Sequence, residues 1–471
     1  MMGLFGALEM GARSLQTQQQ GLEVTGHNLA NVNNPAYARQ RLEIQTSTPL
    51  PTGIGPQGTG AEVAAIFQLR DTLVDQQIQS ETSITGFLEA QQTALQYAEA
   101  NVGEQLQGST SADGAGIVGS TGGLASSLSG LFNALQDLST APASLGSRQT
   151  VIAQAQQLAT RFNQLDQGLA SLNDQLNQSV ATDVDSANQL LADIAALDQR
   201  IVGTEAASGA ANDLRDLRQQ KIEALSKLAN LQVARDANGG VSISAGGQLL
   251  VADGVVQDTL EAYDAGGGKT MVRTASGGTA LTLTGGSIAG TIEARDGAIA
   301  SLRGGINDLA GQLISQVNAV YRTGYDLNGA TGADFFTGTN ASDIAINAAL
   351  ANDPAAFQAS GVAGASGNNQ VVLALAQMAN AAQPALGNRT FSQSYHATVT
   401  ALGGALSSVD NQLDDQAVVQ AMLQNQRAAV SGVSVDEEMT ILVKFQRAFQ
   451  ASAHLVSVVD QLLGIVVNLG E

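Results

Sequence analysis

SVDEEMTILVKFQRAFQASAHLVSVVDQLLGIVVNL, residues 434–469, is the stretch from which the fold is read. Ser434 with Glu437 has the pattern of a capping box, a hydroxyl at N-cap and a carboxylate at N3. Asp436, Glu437 and Glu438 place negative charge in the first turn, where it complements the helix dipole. Leu442, Phe445, Phe449, Val456, Val459, Leu463 and Val466 then follow at alternating steps of three and four, with Ser452 interrupting the row. No proline and, before Gly470, only Gly464 breaks the run. Such a row is a heptad seam and requires a partner helix. At the other end of the chain Leu8, Leu15, Leu22 and Leu29 recur every seventh residue. Each terminus is therefore the natural cover for the other, and a chain with its best amphipathic helices at its ends is expected to assemble with copies of itself.

Composition narrows the function. The 471 residues suffice for several domains, and 21 Lys+Arg against 42 Asp+Glu give a net charge of −21. That sign disfavours nucleic acid or an anionic membrane as partner. Only 13% of residues are charged, so the polar surface must be largely Gln, Asn, Ser and Thr, which suits close subunit packing. The absence of cysteine excludes disulfides and thiolate metal sites. Glu9 interrupts the apolar start and no basic segment precedes it, so no cleavable secretory signal is expected. Apolar runs such as Ile465–Val467 with Leu462 and Leu463 read as too short to span a bilayer.

Working inward from the N-terminus, the Asn34-Pro35 step ends the first helix. Extended chain follows from Arg39 to Thr48, then a Pro/Gly loop, a strand from Ala61 to Leu69 and a helix from Asp71 to Val102. Residues 103–123 are rich in Gly, Ser and Thr and read as a loop. Val151, Leu158, Leu165 and Leu172, interleaved with Ala155, Phe162, Leu169 and Leu176, predict a long helix continuing past Ile194 and Ile201. Another helix covers 212–231. At Gln232 the period changes: Val241–Ser244, Met271–Thr274 and Ala280–Thr284 alternate with glycine turns, as in a small antiparallel β unit. Helix resumes from Gly290 to Tyr321, and after an irregular stretch two helices, 369–382 and 391–430, lead to the terminal one. The predicted fold class is mainly α with an inserted β domain, a long helical rod with paired N- and C-terminal coiled-coil helices. Its expected units are a terminal coiled coil (1–45 with 433–471), a rod (46–231 with 287–432, irregular near 326–365) and an independent, replaceable β unit at 232–286.

Chemical motifs are sparse. His27, His396 and His454 are far apart and none has metal-site spacing. Gly53-x-Gly55-x-x-Gly58 contains Pro56 and opens no helix, so it reads as loop, not a dinucleotide fingerprint. Asp326-Leu-Asn328-Gly329 lacks the ligands of a calcium loop and reads as a turn. Asp414-Asp415 and Glu437-Glu438 are expected to be solvated helix positions. No catalytic residue, cofactor or metal is expected, and the chain is not read as an enzyme.

Asn28-Leu-Ala-Asn31-Val-Asn-Asn-Pro35-Ala-Tyr37-Ala-Arg39-Gln40 resembles the N-terminal signature of bacterial flagellar rod, hook and hook-associated proteins. The C-terminal Ser431-Gly-Val-Ser-Val-Asp436-Glu437-Glu438-Met439, followed by Lys444-Phe445-Gln446-Arg447-Ala448-Phe449-Gln450-Ala451-Ser452, resembles the hook-associated protein 1 family more specifically. Residues 58–71, 212–228 and 334–361 are also similar to that family. Ala36 departs from it, standing where glycine is common, and the stretch between Phe336 and Gln370 is short.

The resemblance implies a structural flagellar protein, exported unfolded and uncleaved to the extracellular hook–filament junction, with its terminal helices in the inner layer of a tube. It implies as partners further copies of the chain in a ring-like homo-oligomer, the hook protein, a second junction protein on the filament side and an export chaperone binding the C-terminal region. The implied assembly residues are Leu8, Leu15, Leu22, Leu29, Asn31, Tyr37, Leu442, Phe445, Phe449, Val456, Val459, Leu463 and Val466. The alternatives are a hook or rod subunit, or a secreted adhesin on a flagellar scaffold.

Overall fold

The computed structural model describes residues 3–52, 55–103, 123–236 and 239–468. The expected loop at residues 104–122, and Gly53 of the glycine motif, lie outside them.

Helix α1 (Leu4–Ala30) ends at Asn31, four residues before Pro35, as the Asn-Pro step requires. Strands β1 (Gln40–Thr46) and β4 (Ala61–Gln68) pair antiparallel, Gln40 opposite Gln68 and Thr46 opposite Ala61. The stretch between them, expected to be loop, holds a small hairpin of β2 (Leu50–Thr52) and β3 (Gly55–Gln57). Helix α2 (Thr72–Val102) starts at Asp71, whose side chain accepts from the Leu73 and Val74 amides.

After α3 (Leu124–Thr140), α4 (Leu145–Ser208) runs 64 residues, about 95 Å at helical rise. All the heptad residues named from Val151 to Leu176 are buried, as are Ile194 and Ile201. The two halves of α4 face different partners. The first half lies in the main core with α3, the end of α2, α7 (Ala300–Tyr321), α9 (Gln370–Gln377) and the start of α10 (Phe391–Ser431). The second half, with α5 (Asn212–Leu228), carries a β-sheet.

That sheet is β5 (Leu231–Arg235), β6 (Val241–Ala245), β7 (Gln248–Ala252) and β8 (Val255–Val256), antiparallel in chain order. The hairpin of β9 (Leu260–Asp264) and β10 (Thr270–Thr274) lies beside it. Of the stretch 280–284, expected to be a strand, only Ala280 forms a bridge, to Arg273, because the chain is already turning into the next helix. Val241, Ile243 and Ala245 point inward and share one core with Val180, Val184, Leu191 and Ile194 of α4 and Ile222 and Leu225 of α5. The expected independence of the β unit is therefore corrected: its hydrophobic floor belongs to the helices.

Helix α6 (Gly286–Ala294) passes through a π-helical turn at residues 295–299 into α7. The bulge holds Arg295, buried, where its Nη1 donates to Asn177 Oδ1 (2.6 Å) and the Thr270 carbonyl (2.7 Å), tying α4 to β10. Beyond α7, Tyr321, Phe335, Phe336 and Phe357 pack edge to face. The short β11 (Phe336–Thr337) and β12 (Ala345–Ile346) pair there, followed by α8 (Ala348–Asn352). Helix α10 begins with a complete capping box, Thr390 with Gln393. The last helix, α11 (Val435–Asn468), returns along α1.

Candidate assembly site at the chain termini

The seam between α1 and α11 is antiparallel and can be followed residue by residue. Gly11 faces Val456, Ser14 bonds Ser452 (Oγ to Oγ, 2.8 Å), Gly21 faces Phe445, and Asn28 donates to Glu438 Oε2 (3.1 Å). The helices meet closely because α1 offers small side chains. A Cβ on Gly21 would lie 2.5 Å from the Phe445 ring, and one on Gly11 2.7 Å from Val456 Cγ2.

This corrects the expected N-terminal stripe. Leu8, Leu15, Leu22 and Leu29 are only half-buried, because the seam row runs through Ser14, Gly21 and Asn28, one position earlier. On α11 the expected row does face α1. Val459 is buried, Leu442, Phe445, Phe449, Val456 and Leu463 are half-buried, and Val466 is 55% exposed beyond the pairing. Ser452, which broke the apolar row, is buried by its bond to Ser14.

A polar cluster closes the end of the seam. Arg39 Nε donates to Glu438 Oε1 (2.7 Å) and its Nη1 to Glu437 Oε2 (2.6 Å). Glu438 is 1% and Arg39 6% exposed. Burial by itself lowers the Arg39 pKa, but the bond to Glu437 and then the Glu438 charge outweigh it, so the pKa is raised. Asn28 Oδ1 accepts from the Tyr37 hydroxyl (2.7 Å) and the Gln40 amide (2.9 Å), and its Nδ2 donates to the Gln40 carbonyl (2.9 Å). Burial, then Asp213 and Asp216, raise the Tyr37 pKa and keep the phenol neutral. The Arg39 amide donates to the Ser431 carbonyl (2.9 Å), so both chain ends leave the body at one point.

Two further expectations change here. Glu437-Glu438 is not a solvated pair: Glu438 is buried because Arg39 and Asn28 come to it from the other end of the chain. The capping box at Ser434 is half-formed, since the Glu437 amide reaches Ser434 Oγ at only 3.5 Å and its carboxylate turns to Arg39. Asn31 is the C-cap of α1, its Nδ2 donating to the His27 carbonyl, and lies half-buried outside the cluster. Ala36 needs no glycine geometry, for among described non-glycine residues only Asp253 and Asn388 have positive φ.

The cluster is bolted to the body. The Ala38 amide donates to Asp216 Oδ2 (3.1 Å), and Arg70 bridges Asp216 (2.7 Å) and Asp75 (3.0 Å). Arg427 of α10 completes the chain with Asp75 (3.1 Å) and Glu223. Burial raises the Asp216 pKa, against the pull of the Ala38 amide and Arg70.

Outside the seam α11 remains uncovered: Met439, Val443, Val458, Leu462 and Ile465 are 38% to 55% exposed. One 18-residue window within residues 391–468 has a mean hydropathy of 1.4 and is 11% buried, so by length and composition it could cross a membrane. That corrects the reading of short apolar runs, because averaging passes over the single Ser, His, Asp and Gly positions that divide them. The same helix is paired with α1 through serine, asparagine and glutamate.

The structure is therefore a long helical body whose two chain ends pair with each other, with an apolar face of α11 left outward. Residues 117–336 match the flagellar hook-associated protein FlgK helical domain, and residues 424–469 match the flagellar basal body rod FlgEFG protein C-terminal family. Flagellar hook-associated protein 1 of Bacillus subtilis is 26% identical, with 99% of each chain covered. That of Escherichia coli is 22% identical, covering 97% of this chain and 98% of its own. The structure of the flagellar hook junction protein FlgK from Burkholderia pseudomallei superposes with a TM-score of 0.64 at 16% identity, over 76% of this chain and all of that one. Over almost its whole length the chain is thus similar to flagellar hook-associated protein 1, and these likenesses support a structural protein of the bacterial flagellum.

The residues that sequence reasoning missed were Asn28, Arg39 and Glu438. Their signal was present in the two terminal signatures, with Asn28 and Arg39 in the N-terminal one and Glu437 and Glu438 in the C-terminal one.

Proposed function

We propose that this protein is an adaptor that joins the flagellar hook to the filament, assembling as a ring of copies through its terminal helices. The observation that carries the reading is the outward apolar face of α11, on a helix whose other side is fixed by α1 and whose base is fixed by the Arg39–Glu438 pair. A ring buries such a face in every subunit. Its neighbours are then the hook protein below, a second junction protein on the filament side and, before assembly, an export chaperone covering the C-terminal helix. Delivery is unfolded, through the flagellar channel to the cell exterior. The role requires no catalysis: geometry and stiffness suffice. In this reading the leucines at 8, 15, 22 and 29, half-buried beside the seam, contribute to contacts between copies. The terminal pair, the helical body and the β-sheet act as inner, middle and outer layers.

The test is a tag in the exposed β9–β10 turn at Gly266–Gly268, located on intact flagella by electron microscopy. Label at one point between hook and filament supports the adaptor. Label along the hook or the rod supports the polymer-subunit alternative and overturns it.

A further inference from the structure

A cleft of about 700 Å3 opens where β4, the start of α2, the α4–α5 turn and strands β5 and β6 converge. Four arginines line it, Arg70, Arg215, Arg218 and Arg235, in a chain with only 21 basic residues. Three have carboxylate partners. Arg70 holds Asp75 and Asp216, Arg215 holds Glu205, and Arg218 holds the buried Asp198. Arg235 makes no ion pair or side-chain hydrogen bond among the described residues.

Two acids of the same wall already hold other cations. Asp75 is taken by Arg70 and Arg427, and Glu205 by Arg215 and the Ala211 amide (3.1 Å). Asp236 accepts from Ser242 Oγ (3.1 and 3.3 Å). Arg70, with its side chain nine-tenths buried, also keeps its Nε–H without a hydrogen bond. Arg235 itself remains open to solvent, yet the atoms packed around it, and then the Arg218 guanidinium, lower its pKa. Like charges converge in a partly enclosed space, where Coulomb repulsion is less screened than in bulk water. A guanidinium fork is also the donor set that matches a tetrahedral oxyanion.

We propose that this cleft binds a small oxyanion, phosphate or the phosphate group of a small molecule, with Arg235 as its principal ligand. The overall charge of −21 gives no long-range attraction for an anion, so recognition rests on local hydrogen bonds. An anion held there would link β5 to the helical body at the place where the terminal strands also join it.

The experiment is titration of inorganic phosphate into the full-length chain, followed by 31P NMR at ionic strength held constant with sodium chloride. Saturable binding is expected, weakened about tenfold or more in Arg235→Gln, the loss of a charge-assisted hydrogen bond. Arg273→Gln, which removes a guanidinium paired with Glu261 on the β9–β10 hairpin, should leave the affinity unchanged. Circular dichroism of each variant reports that the fold is retained. Absence of saturable binding, or equal affinity in Arg235→Gln and the unaltered chain, overturns the assignment.

Discussion

Arg39 and Glu438 stand 399 positions apart and meet at 2.7 Å with almost no exposure. Breaking a buried pair from one side leaves a desolvated charge and costs about 3–5 kcal/mol, whereas replacing both partners with apolar residues costs much less. Glu438→Gln is therefore expected to speed amide exchange along α1 while leaving the Leu158–Leu172 part of α4 protected. Arg39→Met combined with Glu438→Leu should recover most of the lost protection. Unchanged exchange in Glu438→Gln would show that the pair does not hold the ends. Gly21 gives a second prediction of opposite local sign. Alanine favours helix over glycine by about 1 kcal/mol, but its Cβ would sit against the Phe445 ring. Gly21→Ala should lower the melting temperature of the terminal pair, and Phe445→Leu in the same chain should restore it. A rise in melting temperature in Gly21→Ala alone would mean that propensity, not close approach, governs the seam.

At the scale of elements, the β-sheet decides whether α4 is one rigid helix or two unequal halves. Replacing residues 232–285 with a short Gly/Ser linker uncovers Val180, Val184, Leu191 and Ile194. Each buried side chain of this size contributes about 1.5–3 kcal/mol. The expected outcome is loss of helical circular dichroism and new proteolytic cuts between residues 177 and 208, with the first half of α4 intact. Retention of full helicity would restore the view of the sheet as a separate unit. Much of this architecture was legible beforehand. The Val151–Ile201 pattern is apolar and periodic, so α4 announced itself, as did the change of period at Gln232. The α1 side of the seam was not legible, because Gly11, Ser14 and Gly21 produce no hydrophobic signal, while the neighbouring leucines do. Glu438 was misread for a related reason: whether a charge is buried depends on its partner, and Arg39 is adjacent only after folding. Strands β5, β7, β8 and β9 were missed because the glycine turns beside them, at residues 239–240, 246–247, 254 and 266–268, dominate the local reading.

For the whole molecule, α11 has two faces with different duties. Leu463 lies half-buried toward α1, whereas its neighbour Leu462 is 44% exposed and has no covering element in the single chain. A charge at Leu462 should leave the monomer alone and penalise every copy in a ring, since a carboxylate would have to be desolvated at each interface. A charge at Leu463 should damage both. The most direct measurement is complementation of cells lacking their own copy with Leu462→Asp, alongside circular dichroism of the purified chain. The predicted result is an unchanged monomer melting curve and cells that build hooks, lack filaments and release unpolymerised flagellin. Normal swimming with Leu462→Asp would contradict the assignment of the outward face of α11 as the assembly surface.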